Sequence, residues 1–369
     1  MYWIPKLHKN PMKARFIVAA PNCSIKPLSK AVTQVLKLMF KQIEMYNHKS
    51  TYFSGVKSFW PIQNNQPVIE AIKKLNGRSK ANSISTFDFS TLYTNIPHAK
   101  LKNVLRELIN FCFKGGDKKY IAITKFGATW TNNKHKYNVT FDKPSLKLAI
   151  NYLLDNCYFN LGNMSFRQVI GIPMGSDPAP FMANLFLYFY ENKWLLELKK
   201  KDLHKARLFS NTFRFIDDLC TINDNNEFER NYQQIYPVEL ELKKENNSNL
   251  EASFLDLSIT LENKHFNTKL FDKRDAFPFS IVRMPDLNGN ILCHVFYGSI
   301  FSEFLRIARA TLKYMDFLPK SRELVERMQG ATENILLKQI DKMVARYPDA
   351  VETFNVNSRV MKLDLSPTN

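Results

Sequence analysis

Alternating hydrophobic and polar positions predict two strands that carry a charged residue near one end. Ala14–Ala20 is a β-prone run between prolines, and Arg15 would project from its start. Ile84–Phe89 alternates with a period of two residues, which places Asp88 on the face opposite to its flanking phenylalanines. The phenylalanines can therefore be buried while the carboxylate is presented at the end of the strand.

Two further β-prone runs predict a hairpin with paired carboxylates at its tip. Thr212–Ile216 and Leu219–Ile222 flank Asp217 and Asp218. An exposed Asp-Asp turn is the ordinary interpretation of such a dipeptide. The apolar residues on both sides favour a buried hairpin instead, and two carboxylates there repel each other unless a cation compensates their charge.

Helical spacing follows the first carboxylate strand. After Asp88, Thr94 or Asn95 is the expected helix cap, and Pro97 is expected early in the helix. Leucine and valine then recur at helical spacing as far as Leu108. The pattern predicts a strand, a carboxylate, a sharp turn and a helix, in that order.

A loop rich in glycine and proline precedes a second, longer helix. Gly171 and Gly175 permit close approach of the backbone to a bulky group. Apolar residues then recur at helical spacing from Ala183 to Leu198. Such loops are common connections between elements, so this feature alone is a weak signal.

The C-terminal part of the chain is predicted to be helical. A helix over Ser299–Phe317 buries one apolar face and carries Arg306, Arg309 and Lys313 on another. This cationic row suits a helix that follows a nucleic-acid duplex, and ordinary surface charge explains it equally well. Further helical turns are predicted over Leu324–Met328 and Ile335–Val344.

The charge balance indicates the class of binding partner. The 369 residues include 52 lysines and arginines against 34 acidic residues, a formal net charge of +18. Such a surplus indicates a polyanionic partner. Residues 1–43 contain eight basic side chains and no acidic one, so Lys6, Lys9 and their neighbours are candidate phosphate contacts. A solvated basic face would produce the same run.

Other patterns exclude several classes of protein. The five cysteines form no CxxC pair, which supports neither a disulfide framework nor a zinc site. The longest apolar stretch, Phe181–Tyr190, is much shorter than the roughly 20 residues of a membrane-spanning helix. The N-terminus has no apolar signal region. We therefore expect an intracellular protein without a membrane partner.

The order of these features resembles that of motifs A, B and C in reverse transcriptases. The Asp88 strand, the Gly/Pro loop and the Asp217-Asp218 hairpin correspond to the three motifs, and PKLHKNPMKARFIVAAP looks like the fingers segment. Within that family, "PKLHK", "LYTNIP", "GIPMGS" and "FLDLSI" are similar to Penelope-like retroelement enzymes. The resemblance runs from about Tyr2 to Arg346.

This resemblance implies an α+β fold, the right-hand polymerase with fingers, an antiparallel-sheet palm and a helical thumb. The expected limits are residues 1–85 for N-terminally short fingers, 86–285 for the palm and 286–369 for the thumb. A fingers-like insertion is expected near residues 111–165. The upstream fingers segment and the GIY-YIG nuclease that the family often appends are expected to be absent. The "GSDPAP" and "FIDD" sequences depart from the family pattern.

The resemblance also implies roles for individual residues. Asp88, Asp217 and Asp218 would be catalytic, and with the Phe89 carbonyl they would bind two Mg²⁺ ions, with Mn²⁺ as an alternative. Lys243 or Lys244 lies where the family contacts the leaving pyrophosphate, although the residues themselves favour a solvated loop lysine. The expected nucleotide-binding residues are Arg15, Tyr93, Gly171, Met174 and Gly175.

The implied activity is RNA-directed DNA polymerisation, in which a primer 3′-hydroxyl is extended by two-metal nucleotidyl transfer. The partners would be an RNA template, a DNA primer and deoxynucleoside triphosphates, with a separate nuclease as a further candidate and a nuclear location. An aromatic ring at Tyr93 would leave no room for a 2′-hydroxyl, which favours DNA synthesis. An RNA-dependent RNA polymerase and a non-catalytic nucleic-acid-binding retroelement derivative remain alternatives. A two-metal nuclease would leave the Gly/Pro loop and Arg15 unexplained.

Overall fold

The chain divides into two compact units. The computed structural model describes residues 2–6, 13–18, 23–114, 119–272, 277, 279, 290, 292–326 and 333–365. Unit one comprises Met1–Gln63 and Phe87–Lys244, and unit two comprises Asn64–Thr86 and Glu245–Asn369. Each unit is built from both strands and helices, as the mixed pattern of the sequence predicts.

Strands and helices alternate irregularly along the chain. The strands are β1 Tyr2–Lys6, β2 Lys13–Ile17, β3 Ile84–Phe89, β4 Tyr120–Thr124, β5 Gly127–Thr131, β6 Thr140–Phe141, β7 Tyr158–Leu161, β8 Met164–Arg167, β9 Thr212–Phe215, β10 Asp218–Ile222, β11 Leu242–Lys244, β12 Glu251–Phe254, β13 Leu257–Glu262 and β14 His265–Leu270. The helices are α1 Lys26–Ser54, α2 Gln66–Asn76, α3 Leu92–Asn95, α4 His98–Cys112, α5 Lys143–Asp155, α6 Ala179–Lys201, α7 Leu203–Leu208, α8 Glu227–Ile235, α9 Cys293–Ala310, α10 Tyr314–Glu326, α11 Glu333–Arg346, α12 Pro348–Val351 and α13 Ser358–Leu365.

The central sheet of unit one contains the predicted carboxylate strand. Its strand order is β11, β3, β10, β9, and β9 and β10 form the predicted antiparallel hairpin. β3 has the limits that its alternation predicts, with Phe87 and Phe89 buried and Asp88 half-buried between them. The two rings pack against Phe228 and Tyr236, each with centroids 4.9 Å apart. Burial of these rings holds the end of β3 in the core and leaves its carboxylate at the surface of the sheet.

Helices cover this sheet and form one hydrophobic core with it. α1, α4, α5 and α6 pack on one another, and α6 is buried on several sides by residues such as Ala183, Phe186 and Leu187. The predicted first helix is divided into α3 and α4, and Pro97 is the N-cap residue of α4 rather than an early helical residue. Its extended backbone (φ −68°, ψ 130°) explains the interruption.

Smaller ribbons surround the core of unit one. β1 and β2 pair antiparallel with Ile4 opposite Arg15. β2 ends at Ile17, and residues 19–20 of the predicted strand lie outside the described residues. The region predicted as an insertion, residues 111–165, contains the β5-β4-β6 sheet and α5, and it ends within the β7-β8 hairpin.

Unit two is a three-stranded antiparallel sheet with helices. β12, β13 and β14 pair in chain order. The Asn76 side chain at the end of α2 donates to the Phe266 carbonyl and accepts from its N–H, both at 2.7 Å, which attaches α2 to β14. α9 packs on β14, and α10, α11 and α12 pack on α9.

The predicted single helix over Ser299–Phe317 is wrong. α9 ends at Ala310, because Thr311 is extended (φ −116°, ψ 130°) and the next residue, Leu312, donates its N–H to the Thr268 carbonyl of β14 at 3.1 Å. Lys313 therefore lies in the connection to α10 and not on one helix with Arg306 and Arg309. α10 and α11 account for the two further helical segments, although residues 327–332 lie outside the described part of the chain.

Within the described ranges, no helix combines the length and apolar character that a membrane span requires. The limits proposed for fingers, palm and thumb stay predictions, because compactness alone does not define these subdomains.

Candidate functional site

Three carboxylates lie at one end of the central sheet. Asp88 precedes the last residue of β3, Asp217 lies in the turn after β9, and Asp218 begins β10. All three residues are half-buried. β3 and β10 are neighbours, and the Phe89 N–H donates to the Asp217 carbonyl at 3.1 Å. The structure thus brings together the three acids that the sequence singled out.

The turn that carries Asp217 has an unusual backbone. Ile216 has φ 56°, in the left-handed region that a β-branched residue rarely adopts. Such a conformation persists only where the surrounding structure imposes it, and it is common at functional sites. A buried hydrogen-bond network beside the turn holds the Ile216 backbone in this conformation.

Arg214 is the centre of that network. Its guanidinium is completely buried and makes a bidentate pair with Glu191 of α6, with Nε–Oε1 at 2.6 Å and Nη2–Oε2 at 3.1 Å. Nη1 donates to the Asn184 side chain at 2.7 Å and to the Ile216 carbonyl at 3.0 Å, and Nη2 donates to the Asn184 carbonyl at 3.2 Å. All five N–H donors of an arginine are therefore used, and one of them holds the strained turn.

The same network reaches β3 through an aromatic residue. The Tyr236 hydroxyl donates to Glu191 Oε1 at 2.9 Å, and its ring packs against Phe89. Burial, followed by the Glu191 charge, raises the pKa of Tyr236 well above its ordinary value, so its hydroxyl stays a donor. Glu191 consequently connects the Asp217 turn to the strand that carries Asp88.

Tyr93 lies within electrostatic range of Asp217 and of Arg15. Burial and, after it, the Asp217 charge raise the pKa of the Tyr93 phenol to about 12, while Arg15 and Arg214 act in the opposite direction. The half-buried ring is therefore neutral at physiological pH. Three residues predicted for the site, Arg15, Tyr93 and Asp217, thus share one electrostatic environment.

The Gly/Pro loop is attached to the turn after β3. Gly171 has φ 81°, and a methyl group on it would lie 2.5 Å from the Tyr93 carbonyl oxygen. The Gly171 N–H donates to the Ile96 carbonyl at 2.8 Å, and the Ile172 N–H donates to the Tyr93 carbonyl at 2.6 Å. The bulky group that this glycine admits is the backbone of the chain itself. Its predicted contact with a nucleotide stays a prediction.

The same loop is attached to the β1-β2 ribbon. Gly175 has φ 109°, and a side chain there would collide with the Val18 carbonyl. The Val18 N–H donates to the Met174 carbonyl at 2.9 Å. Because Val18 directly follows β2, these contacts link the loop to the strand that carries the exposed Arg15.

Asp177 gives the unusual "GSDPAP" sequence a structural role. Its carboxylate accepts from Lys26 Nζ at 2.9 Å and from the Ser29 hydroxyl at 3.0 Å. These hydrogen bonds hold the pKa of Asp177 below its ordinary value although burial opposes them. The start of α1 is thereby joined to the loop that precedes α6.

Lys243 lies opposite Asp88 in the sheet. β11 pairs antiparallel with β3 in a register that matches these two residues, so both side chains project from the same face. The Lys243 side chain is exposed and lies 3.0 Å from Glu241, whereas Lys244 pairs with Glu229 at 2.7 Å. Lys243 is therefore exposed to solvent, but it lies in a strand on the carboxylate face and not in a loop. Its contact with pyrophosphate stays a prediction.

The predicted nucleic-acid contacts differ in their surroundings. Arg306 is paired with Asp256 at 3.4 Å and with Glu303 at 3.0 Å, which compensates its charge. Arg309 lies over the Tyr347 ring, 4.9 Å from its centroid. Lys313 is exposed, Lys6 is in β1, and Lys9 lies outside the described residues. The structure does not place Arg306, Arg309 and Lys313 in one free cationic row.

Comparison with known families accounts for this arrangement. The family described as "Reverse transcriptase (RNA-dependent DNA polymerase)" matches residues 4–252, more than half of the chain. The chain is a member of the reverse transcriptase family. Arg15, Tyr93, the Gly/Pro loop and all three carboxylates lie within the matched residues.

Solved structures show where else this fold occurs. Telomerase from Candida albicans, in complex with a TWJ fragment of telomeric RNA, is similar over 90% of this chain and 50% of that chain, with a TM-score of 0.54 and 12% identity. Apo telomerase from Candida tropicalis is similar over 93% of this chain and 53% of that chain, with a TM-score of 0.47 and 13% identity. The chain thus spans about half the length of these telomerases. No curated protein sequence matches it.

The first of these similarities concerns the fold alone. Together with the family match and the mixed helix-and-sheet architecture, it confirms the α+β right-hand polymerase fold expected from the sequence.

The donor set of this reverse transcriptase site suits a hard cation. Among the described residues, no group of three or more His, Cys, Asp or Glu side chains is arranged to hold a metal ion. Mg²⁺ does not need such a cage, because it is usually bound by one or two carboxylates with water and substrate phosphates as its other ligands. Asp88 on β3 and Asp217 in the turn before the neighbouring β10 fit that requirement, whereas a closed structural metal site is not supported.

Sequence reasoning missed Arg214, Glu191 and Asn184. A usable signal was present, because Arg214 interrupts the apolar run of β9 and Glu191 interrupts the apolar run of α6. Charged residues in such runs are rarely buried unless they are paired. Their pairing with each other follows only from the packing of α6 against the hairpin.

Proposed function

We propose that the chain is an RNA-directed DNA polymerase that extends a primer 3′-hydroxyl. The observation that carries this proposal is the position of Asp88 on β3 beside Asp217 and Asp218 at the start of the neighbouring β10, joined by the Phe89–Asp217 hydrogen bond, in a member of the reverse transcriptase family. Bound Mg²⁺ would lower the pKa of the attacking hydroxyl and compensate phosphate charge. Asp88, Asp217 and Asp218 would hold it, with the Phe89 carbonyl as a further oxygen ligand.

The residues around the carboxylates would position the incoming deoxynucleotide. Arg15 would bind its triphosphate, because a guanidinium matches phosphate oxygens in a bidentate geometry. The neutral ring of Tyr93 would contact the sugar, and the loop containing Gly171, Met174 and Gly175 would shape the pocket around the base pair. Support comes from the electrostatic proximity of Tyr93 to Arg15 and Asp217 and from the link between Met174 and Val18.

The finer identity of the enzyme is part of the same proposal. The "LYTNIP", "PKLHK", "GIPMGS" and "FLDLSI" sequences support the Penelope-like branch. An RNA template is favoured by the family and by the net charge of +18. A retroelement enzyme of this kind would act in the nucleus, with a separate nuclease as a candidate partner.

Primer extension tests the proposal directly. A labelled DNA primer is annealed to an RNA or a DNA template and supplied with deoxynucleotides or ribonucleotides, with Mg²⁺ or Mn²⁺. We expect extension on RNA with deoxynucleotides. Preferential use of ribonucleotides would support an RNA-dependent RNA polymerase instead. Template binding without extension under any condition would support a non-catalytic derivative.

A further inference from the structure

The outer face of helix α1 carries basic side chains in its first half and aromatic side chains at its end, with Glu44 and His48 between them. Lys30, Lys37, Lys41 and Tyr52 lie within about 60° of one another around the helix axis, because an α-helix turns 3.6 residues per turn. Near the distal end, Lys49 and Phe53 lie about 60° and 100° further around the helix axis than Tyr52. We call these six residues the α1 row.

The α1 row is exposed because the opposite face of α1 is in the core. Val32, Val35, Leu36, Met39 and Ile43 are completely buried on that inner face. The four lysines of the row are exposed, and Tyr52 and Phe53 keep 87% and 86% of their area accessible. Two adjacent aromatic side chains with this exposure contribute almost nothing to the core, and their rings contact each other with centroids 5.5 Å apart.

The charge of the α1 row is not compensated locally. Across the part of the chain that the structure describes, none of its four lysines lies within ion-pair distance of a carboxylate. Lys37 lies over the Phe181 ring at 5.7 Å. The only acidic residue of α1, Glu44, lies 4.0 Å from His48. The positive charge of the row is therefore concentrated between Lys30 and Lys41, with Lys49 as a further cation beyond Glu44.

The basic end of the α1 row begins beside the Gly/Pro loop. Lys26 and Ser29, within about one turn before Lys30, hold Asp177 of that loop. From Lys30 to Phe53 the helix extends about 35 Å away from that attachment, at 1.5 Å per residue. A strand with the 3.4 Å spacing of a stacked nucleic acid would place about ten nucleotides along this distance.

We propose that the α1 row binds the single-stranded RNA template outside the polymerase site. Lys30, Lys37, Lys41 and Lys49 contact its phosphates, and Tyr52 and Phe53 stack on unpaired bases. A cationic surface with exposed aromatic rings is the usual combination for single strands, because stacking requires base faces that a duplex conceals. The proposal rests on the proposed function, which supplies the template, and it extends that function to a second contact surface.

Overhang length provides the test. Primer-template duplexes with a 5′ template overhang of about 3 or about 20 nucleotides are compared by fluorescence anisotropy at constant salt, the longer one being sufficient to span the row. We expect the long overhang to bind at least about tenfold more tightly than the short one to the unchanged protein, because the stacking of one base on an aromatic ring is sufficient for a difference of about that size. Tyr52→Ala with Phe53→Ala, or Lys37→Ser with Lys41→Ser, should remove most of that difference.

Matched control variants distinguish the effects of ring stacking and of local charge from those of any aromatic or lysine substitution. Exchanging the rings, Tyr52→Phe with Phe53→Tyr, should retain the preference for the long overhang. Lys264→Ser removes an exposed lysine from the turn between β13 and β14 and should leave the preference unchanged. Every variant should extend a primer normally on the short-overhang template, which keeps this test distinct from that of the polymerase activity.

Two results would overturn the proposal. The unchanged protein could bind both overhangs equally, or the ring-deletion variant could retain the preference for the long overhang. In the second case, a loss of self-association by that variant in sedimentation velocity would identify the α1 row as a protein contact. Failure of the unchanged protein to extend any primer would contradict the proposed function alone, because overhang binding is measured without nucleotides.

Discussion

The guanidinium of Arg214 and the carboxylate of Glu191 form a completely buried bidentate pair, with N–O distances of 2.6 and 3.1 Å. Arg214 lies three residues before Asp217 in the chain. A buried pair of this kind is not by itself stabilising, because desolvation of both charges offsets their attraction. Its consequence here is geometric. The same guanidinium holds the Ile216 carbonyl and thereby the strained turn that presents Asp217.

Removing one partner of this pair should destabilise the protein strongly. Arg214→Met leaves the Glu191 charge buried without its cation, and we expect a loss of about 3–5 kcal/mol in the free energy of unfolding. The double variant Arg214→Met with Glu191→Met should recover most of that loss in chemical denaturation while primer extension stays slow, because the turn has lost its donor. Normal extension by the double variant would contradict a positioning role.

Asp217→Asn should nearly abolish extension. The substitution preserves the shape of the side chain and removes the charge that a bound cation requires, so we expect the rate to fall by orders of magnitude while duplex binding persists. In the unchanged protein, Mg²⁺ with nucleotide should raise the melting temperature, and this shift should be smaller in the variant. Asp341→Asn, in the exposed part of α11, is the matched control and should behave normally.

Tyr93→Val should relax the choice of sugar. Removing the ring makes room for a 2′-hydroxyl, and we expect incorporation of ribonucleotides with part of the deoxynucleotide activity retained. Tyr93→Phe keeps the ring and should keep the discrimination, since the phenol is already neutral below a pKa of about 12. Single-nucleotide incorporation assays measure both ratios. Equal use of both sugars by the unchanged enzyme would rule out this role of Tyr93.

Arg15→Ala should mainly weaken nucleotide use. If the exposed guanidinium binds the triphosphate, the KM for deoxynucleotides should rise at least about tenfold, as expected for loss of a charge-assisted contact, while the Kd for the duplex stays unchanged. Arg15→Lys should recover part of the effect because it keeps the charge without the bidentate geometry. A weaker duplex affinity with an unchanged KM would indicate an ordinary phosphate-backbone contact instead.

Salt dependence should distinguish Lys313 from Arg306. Each neutralised phosphate contributes a slope of about −0.9 to the logarithmic dependence of affinity on salt for B-form DNA. Lys313→Ala should make this slope less steep by the contribution of about one phosphate contact, because the Lys313 charge is exposed. Arg306→Ala should leave the slope nearly unchanged, since Asp256 and Glu303 already compensate that arginine. The reverse ranking would show that these ion pairs open on binding.

The boundaries of local elements illustrate what can be predicted residue by residue. The alternation of Ile84–Phe89 correctly predicted the limits of β3 and the partial exposure of Asp88. The β-prone runs around Asp217 correctly predicted the hairpin. Both predictions rest on the two-residue period of a strand, which needs no information from elsewhere. The prediction of one helix over Ser299–Phe317 was wrong because the Leu312 N–H donates to the carbonyl of Thr268, about forty residues earlier in the chain.

The Asp88 strand, the Asp217-Asp218 hairpin, the helix after the Gly/Pro loop and the family all follow from periodicity and motifs within short segments of the sequence. The contact of Arg214 with Glu191, the position of Lys243 opposite Asp88 and the contact of Gly171 with the Tyr93 backbone depend on tertiary packing. Sequence separation explains this difference. Each of these contacts joins segments far apart in the chain, and their pairing is selected by the packing of the whole core rather than by local preference.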